Sequence, residues 1–360
     1  MRTSERGTPL TRLYDQAFRS RHPIYASIEL TYTCNLACYF CYNPVQRKAQ
    51  NRAIPLPERR QDPLSFEEMV DVLDQLKDLG VLYLTLTGGE PLLHPRFWDI
   101  AQAAKDRSFA MRIFSNGASI TEAVADKLQA LMPHCLEISI HGARDETAEA
   151  LTQVKGSLRR QILALGYLRE RGIRVFLKCV VTKLVEDQLE EIRALAERFD
   201  YPIYFDPVLT ISDDRQLYPL ELRASDEGIA RLYRTSGLNI GNSPFEREPE
   251  DFNCSVGTGV LHITPFGDIL PCVQWKQPVG NVRQTRIRHI WDTSPLLLAA
   301  REANMKSVQA IKESVEDHAY CGHCPGLSQL RTGDPLRPDE QYVRVAQIRS
   351  TVAKESAGPG

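Results

Sequence analysis

The chain has 360 residues, 42% of them hydrophobic and 25% charged, the make-up of a soluble globular protein with a substantial core. At ~150 residues per domain it is too long for one small module and suits two or three domains, or one α/β barrel with an extension. Forty-four Lys+Arg against forty-six Asp+Glu leave a net charge of −2, so no global field argues for nucleic acid or a membrane surface as a partner. No apolar run approaches the ~20 residues of a spanning helix, and residues 1–25 lack the apolar core of a signal peptide. A cytoplasmic protein with reduced thiols is expected.

Short apolar runs alternate with amphipathic patterns from residue 26 to about 235. Residues 26–31 read as a first strand. Ser65 and Glu68 form a capping box, after which Phe66, Met69, Val70, Leu73 and Leu76 recur at helical spacing until Gly80. Residues 81–86 read as a second strand and 109–114 as a third. A helix follows from Thr121 with Val124, Leu128 and Leu131 on one face. Residues 135–140 are a fourth strand, and a helix bearing Leu158, Ile162, Leu165 and Leu168 stops at Gly172. Residues 175–181 form a fifth strand, Leu189, Ile192, Leu195 and Phe199 mark the next helix, and 203–205 is a sixth strand.

Such alternation means parallel strands with right-handed crossovers. Six units predict an α/β fold of the incomplete, TIM-like (β/α)6 barrel kind, with ligands at the C-terminal ends of the strands. A linker-like stretch, 236–253, leads to a hairpin whose arms, 256–263 and 269–273, flank the Gly-containing turn 264–268. Residues 295–305 read as helix. The predicted units are an N-terminal segment 1–24, the barrel 25–235, a hairpin-plus-helix extension 236–345 and a tail 346–360.

Nine cysteines in a reducing compartment call for a use other than disulfides. Cys135 and Cys179 stand alone in apolar runs and read as buried small hydrophobes. Cys34, Cys38 and Cys41 follow the first strand as C-x3-C-x2-C. Three thiolates in one loop do not close a four-ligand zinc site by themselves. They can hold three irons of a [4Fe–4S] cube and leave the fourth open. A zinc loop borrowing its fourth ligand is the competing reading. Cys254, Cys272, Cys321 and Cys324 form a second set, C-x17-C followed by C-x2-C. Four thiols suit either structural zinc or a fully ligated iron–sulfur cluster, and spacing does not separate these.

The first set, with Phe40 before its last cysteine, resembles the signature of the radical S-adenosylmethionine (SAM) enzymes. Thr87-Gly88-Gly89-Glu90-Pro91, at the end of the second strand, resembles that family's GGEP motif. Paired glycines permit close backbone approach, and Glu90 can accept hydrogen bonds from an ammonium. The resemblance implies that the open iron binds SAM, which is cleaved reductively to a 5′-deoxyadenosyl radical that takes a substrate hydrogen. It also implies SAM contacts at Phe40, Gly88, Gly89, Glu90, Ser115, Asn116, Ser139, His141 and Lys178. His141 stands where many relatives have Asp. Lys178, set in an apolar strand, faces either the barrel interior near the SAM carboxylate or an exposed edge.

Cys254, Gly267 and Cys272 resemble the opening of the SPASM extension found on many such enzymes, as do Gly280-Asn281-Val282, Ile290-Trp291 and Cys321-Gly-His-Cys324. The further cysteines of a full SPASM domain are missing, and Tyr342 and Val343 lie near where the last is expected. The shortened "twitch" form is implied, with one auxiliary [4Fe–4S] cluster on Cys254, Cys272, Cys321 and Cys324. His323 is an alternative ligand or, in the preferred reading, a solvent-facing loop residue.

Segments 180–183 and 205–223 resemble SPASM maturases that oxidise, cross-link or otherwise modify ribosomally made precursor peptides. That implies a precursor-peptide substrate and an external electron donor of the flavodoxin or ferredoxin type. With about twenty-five residues before the first strand, a separate peptide-recognition protein or direct leader docking is also expected. The alternatives are a twitch-type dehydrogenase of an amino-cyclitol or sugar, and a non-catalytic cluster scaffold. Arg47, Lys48, Arg52, Arg59 and Arg60 read either as a cover over the barrel mouth that greets an acidic leader or as a solvated loop. No catalytic acid or base stands out; Asp206 and Tyr204 are placed near the mouth by pattern alone.

Overall fold

The computed structural model describes residues 9–43, 62–235, 242–248 and 251–357. The basic stretch from Arg47 to Arg60, the start of the predicted linker and the last residues lie outside these.

Helix α1 (Pro9–Arg19) precedes six strand–helix units: β1 (Tyr25–Glu29), α2 (Phe66–Leu79), β2 (Tyr83–Thr87), α3 (Phe97–Asp106), β3 (Ala110–Ser115), α4 (Glu122–Leu131), β4 (Cys135–Ser139), α5 (Asp145–Thr152), α6 (Ser157–Glu170), β5 (Val175–Val180), α7 (Leu189–Arg198) and β6 (Ile203–Asp206). All six strands run parallel in the order β6-β5-β4-β3-β2-β1.

The capping box at Ser65 is present in full, and Gly80 ends α2 in the left-handed region at φ 91°. The cap contributes ~1 kcal/mol. The buried face of Met69, Val72, Leu73, Leu76 and Leu79 contributes ~1.5–3 kcal/mol per side chain, so packing rather than capping fixes the helix. Helix α3, which no sequence pattern marked, buries Phe97, Ile100, Ala101 and Ala104 and has no side-chain cap. Its signal was faint because alanines form half of its apolar stripe.

The extension does not form a separate sheet. After α8 (Asp226–Arg234), strand β7 (Val260–Ile263) pairs in parallel with β1, Tyr25 against Val260 and Ile28 against Ile263. The antiparallel strands β8 (Asp268–Leu270) and β9 (Gly280–Asn281) then continue one nine-stranded sheet. Helices α9 (Ile287–Thr293), α10 (Pro295–Ser314) and α11 (Pro325–Thr332) follow. Helix α12 (Glu340–Ala357) packs back on α8 and so runs on through the position where the sequence placed a boundary. Arg283, just beyond β9, reaches the other unit: its Nε and Nη2 donate to Glu68 Oε1 at 2.5 Å and Oε2 at 2.7 Å, and Nη1 donates to the Asp62 carbonyl at 2.8 Å.

Residues in register share a face of the sheet. Ile28, Leu84, Ile113, Leu136, Leu177 and Ile263 point to the helices and are buried. The opposite, concave face carries Ser27, Glu29, Thr85, Arg112, Glu137, Ser139, Lys178, Tyr204, Asp206 and His262. The convex side is apolar, while the concave side carries these polar groups together with the rings of Tyr25, Tyr83, Phe114 and Phe176, so the polar chemistry lies inside the curve.

Candidate active site

The first cysteine loop leaves β1 and is strapped down on both flanks. Ala37 N–H donates to the Thr152 carbonyl at 3.0 Å and Tyr39 N–H to Leu151 at 2.9 Å, tying it to the end of α5. Tyr218 Oη donates to the Cys41 carbonyl at 2.7 Å, while Asp213 N–H (2.8 Å) and Ser212 Oγ (3.1 Å) both reach the Tyr42 carbonyl. Cys34, Cys38 and Cys41 lie close enough to disfavour one another's ionisation, and burial pushes all three thiols up, Cys41 to about 12.

Gly88 and Gly89 carry the loop on their backs. Gly88 has φ +143°, and a Cβ there would stand 2.3 Å from the Thr31 carbonyl; a Cβ on Gly89 would stand 2.4 Å from that of Thr33. Gly89 N–H donates to Thr31 (2.7 Å) and Glu90 N–H to Thr33 (2.8 Å). The close approach that paired glycines allow is therefore spent on the residues just before Cys34.

Glu90 is fully buried and accepts from Ser115 Oγ at 2.9 and 3.1 Å, from Asn116 N–H at 2.8 Å and from Leu92 N–H at 3.3 Å. Burial pushes its carboxyl up to about 7 against the pull of those donors. Its side chain braces the Ser115-Asn116-Gly117 turn. Asn116 Nδ2 in turn donates to Cys34 Sγ at 3.4 Å and Asn35 Oδ1 at 2.8 Å. One chain of contacts thus runs from Glu90 through the turn to the cysteine loop.

Ser139 and Asn116 are joined by Gln161, whose Nε2 donates to both carbonyls at 2.8 Å. The ring of Phe40 meets His141 edge-on at 5.2 Å. Burial lowers His141 to about 4, so the imidazole is neutral at physiological pH. Lys178 is exposed, yet β5 is paired on both sides, so the strand-edge alternative is ruled out. Its Nζ stands 5.9 Å from the Tyr204 ring and beside Asp206 on the concave face.

Sequence reasoning missed a polar cluster at the mouth. His262, wholly buried, has Nδ1 2.7 Å from Ser27 Oγ, and its Nε2 lies 3.3 Å from Glu29 Oε2, off the line of a good hydrogen bond. Burial raises the Glu29 carboxyl, but His262 and Lys276 outweigh this and hold it below its ordinary value. Lys276 Nζ pairs with Asp213 Oδ2 at 3.0 Å and sits 5.0 Å above the Tyr42 ring. Burial pushes Asp213 up to about 6 against the pull of Lys276. The pair opens on a cavity of about 360 Å³ that Arg215, Gln277 and Gln329 also line. The available signal was a charged or polar residue at alternate strand positions, as in Ser27-Ile-Glu29 and Leu261-His-Ile263.

The second cysteine set is carried by the extension, with Lys276 acting both on Cys272 and on the mouth carboxylates Asp213 and Glu29. Asn304 of α10 accepts from Cys254 N–H at 3.1 Å and donates to the carbonyls of Cys254 (2.8 Å) and Val256 (2.9 Å). Trp275 N–H donates to the Cys272 carbonyl at 3.2 Å. Cys324 caps α11, its Sγ accepting from Leu327 N–H at 3.4 Å. Cys254, Cys272 and Cys324 feel one another's charge, and Cys254 and Cys321 share the guanidinium of Arg247. His323 is not solvent-facing. It is 3% exposed with Nε2 2.9 Å from the Pro335 carbonyl, because the loop folds under that segment.

Among the described residues no three His, Cys, Asp or Glu side chains converge on the position of a single metal ion. The donors are all thiols, in sets of three and four, the chemistry of iron–sulfur cubes with one open corner and with none. No helix among the described residues is long and apolar enough to cross a membrane.

Comparison with known proteins agrees. The radical SAM superfamily matches residues 28–199, and the SPASM iron–sulfur cluster-binding domain matches 254–325. The mycofactocin maturase MftC of Mycolicibacterium smegmatis is 29% identical, covering 93% of this chain and 86% of its own. An AdoMet-dependent heme synthase of Methanosarcina barkeri is 25% identical over 87% of this chain and 94% of its own. The fold is shared with Streptococcus suis SuiB, solved with its precursor peptide SuiA: TM-score 0.62 at 17% identity, covering 94% of this chain and 82% of that one. The two matched domains imply an iron–sulfur cluster and an auxiliary cluster, and SuiB has also been solved with S-adenosylmethionine bound.

Proposed function

We propose that this chain, a radical SAM protein with a C-terminal SPASM domain, is a maturase that modifies a ribosomally made precursor peptide. The observation that carries the reading is the match to a peptide maturase over nearly the whole chain, both cysteine sets included. The exposed concave face of Lys178 and Tyr204 supports it, since an open-sided barrel admits a chain segment.

In this reading Cys34, Cys38 and Cys41 hold the cluster with the open iron, and Cys254, Cys272, Cys321 and Cys324 hold the auxiliary one. Bound there, the cluster and SAM supply the radical that removes a substrate hydrogen. The protein's own part is positional. Glu90 braces the Asn116 turn against the cysteine loop. Gly88 and Gly89 let that loop lie flat on β2. Phe40 and neutral His141 pack edge-on beside the first cysteine loop and fix each other's rings there. Ser139, Asn116 and Lys178 line the C-terminal strand ends where the SAM ribose and carboxylate are expected. Asp213, raised toward neutrality and held by Lys276, is a carboxylate able to exchange a proton beside the first cysteine loop. An external one-electron donor is required, and leader recognition falls to a separate protein or to the mouth itself.

Anaerobic reconstitution with SAM, reductant and synthetic precursor peptides tests the reading. The expected result is 5′-deoxyadenosine together with a peptide lighter by two hydrogens or cross-linked. Formation of 5′-deoxyadenosine with no mass change in any encoded peptide, and turnover of a tetrapyrrole instead, would replace it with the heme-synthase reading that the second relative offers.

A further inference from the structure

We propose that the small cavity where the barrel meets the extension is a carboxylate subsite, in which Arg215, Gln277 and Gln329 hold an acidic group of the peptide as it lies across the barrel mouth. The inference rests on the maturase reading above and narrows its substrate to a peptide that presents a carboxylate at this point.

The cavity, about 360 Å³, is lined by Asp213 and Arg215 from the loop after β6, by Lys276 and Gln277 from the stretch after Cys272, and by Gln329 and Leu330 of α11. A volume near the lower end for ligand sites suits a side chain or a chain end. Each stretch leads to a cysteine loop. Asp213 N–H donates to the Tyr42 carbonyl at 2.8 Å, beside Cys41. Lys276 follows Cys272 by four residues, and Cys324 caps α11. A group held here is fixed relative to both sets.

Charge decides what the cavity takes. Lys276 Nζ is committed to Asp213 Oδ2 at 3.0 Å and also acts on Glu29, which His262 flanks at 3.3 Å, so it adds no net cation for an incoming ligand. Arg215 does add one. It is exposed, and its guanidinium has no ion-pair or hydrogen-bond partner among the described residues. The neighbouring carboxylate, Asp214, accepts from Gln216 N–H at 3.4 Å and does not line the cavity. The side-chain amides of Gln277 and Gln329 are likewise without partners among the described residues. A planar guanidinium fork with two amide N–H groups beside it matches the oxygens of a carboxylate. Leu330, 6% exposed, supplies an apolar contact for the methylenes that carry such a group.

The turn that carries Arg215 is set in advance. Arg215 N–H donates to the Ser212 carbonyl at 2.8 Å and Ser212 N–H to the Gln216 carbonyl at 3.1 Å, which holds Arg215 at φ +64°. That conformation is uncommon for a residue with a side chain. Ser212 Oγ also donates to the Tyr42 carbonyl, so the base of the arginine is tied to the first cysteine loop. A backbone fixed before the ligand arrives lowers the cost of binding it.

The test titrates the anaerobically reconstituted full chain with four capped probes, followed by NMR of the probe: acetylglutamate amide, acetylglutamine amide, acetyllysine amide and acetylglycine with a free carboxyl. Wild type should bind one of the two carboxylate probes at least about tenfold more tightly than the glutamine and lysine probes. Preference for acetylglutamate amide names an acidic side chain as the source, and preference for acetylglycine names a chain end. Arg215→Gln should weaken that binding about tenfold and Gln277→Ala about fivefold, with iron and sulfide content showing that each variant keeps its clusters. Should one variant lose them, the other carries the comparison. Equal binding of acid and amide probes, tighter binding of the lysine probe, no binding of any probe, or wild-type affinity in the cluster-bearing variants overturns the proposal. The maturase reading is judged apart from it. Carboxylate probes that bind while every encoded peptide stays unmodified defeat that reading and leave the subsite, whereas a modified peptide whose KM ignores Arg215→Gln defeats the subsite and leaves the reading.

Discussion

The Glu68–Arg283 contact gives a prediction that needs no cofactor. The Arg283 fork holds the Glu68 carboxyl down to about 2 from an ordinary 4.5, outweighing the small effect of burial. At ~1.36 kcal/mol per pH unit that gap converts to roughly 3 kcal/mol. The Glu68 side chain is 37% exposed and that of Arg283 25%, so solvent screening reduces the pair to about 1–2 kcal/mol. A carboxyl held below its ordinary value stabilises the fold only while ionised. The contribution is therefore complete above about pH 4.5 and is lost as pH falls toward 2. The assay is a double-mutant cycle of Glu68→Gln, Arg283→Met and both together, by urea unfolding near neutral pH. Repeating it at stepwise lower pH uses cluster-free protein, where acid loss of sulfide does not intrude. A coupling energy near zero at neutral pH, or one that does not shrink below pH 4.5, refutes the reasoning.

Gly89→Ala should drive a Cβ into the Thr33 carbonyl at 2.4 Å and displace the first cysteine loop. Iron analysis is expected to show loss of the first cluster with the auxiliary one retained, and 5′-deoxyadenosine formation should vanish. The Cys34/Cys38/Cys41→Ala protein should fall from about eight irons per chain to about four; a value unchanged, or zinc in their place, contradicts the assignment. His141 resists protonation down to about 4, so the folded state loses stability as pH falls from about 6.5 toward that value. Between pH 7 and 4.5 the cluster-free wild type should lose about 2–3 kcal/mol more stability than His141→Leu, measured by urea midpoints; equal slopes would count against it. Asn304→Ala strips three hydrogen bonds from the Cys254 segment and should cost about 1–3 kcal/mol, together with auxiliary-cluster content in the same iron assay.

How much of this was legible beforehand follows from where each signal resides. The six barrel strands and the capping box at Ser65 were readable because apolar periodicity and cap chemistry are local. The C-x3-C-x2-C and C-x2-C spacings stood out because each is a local pattern, whereas Cys254 and Cys272 lie far along the chain from Cys321 and Cys324. Pairing of β7 with β1 was not readable, since a parallel register between residues 25–28 and 260–263 leaves no mark in either segment alone. The same holds for the mouth. Glu29, His262, Asp213 and Lys276 come from four distant stretches and acquire meaning only when the sheet curves. Gly88 and Gly89 were identified, but the neighbour that requires them is the first cysteine loop. His323 was misjudged because a short polar loop looks exposed until Pro335 lies across it.

Strand β1 has partners on both sides, β2 on one and β7 on the other. Cutting the chain after the sixth barrel strand would bare a row of amide and carbonyl groups along the very strand that launches the first cysteine loop. A fragment of that kind would seek any other backbone to bind, including its own copies. The two halves, though separable by motif, are therefore one mechanical object, and whatever moves one cysteine set moves the frame of the other.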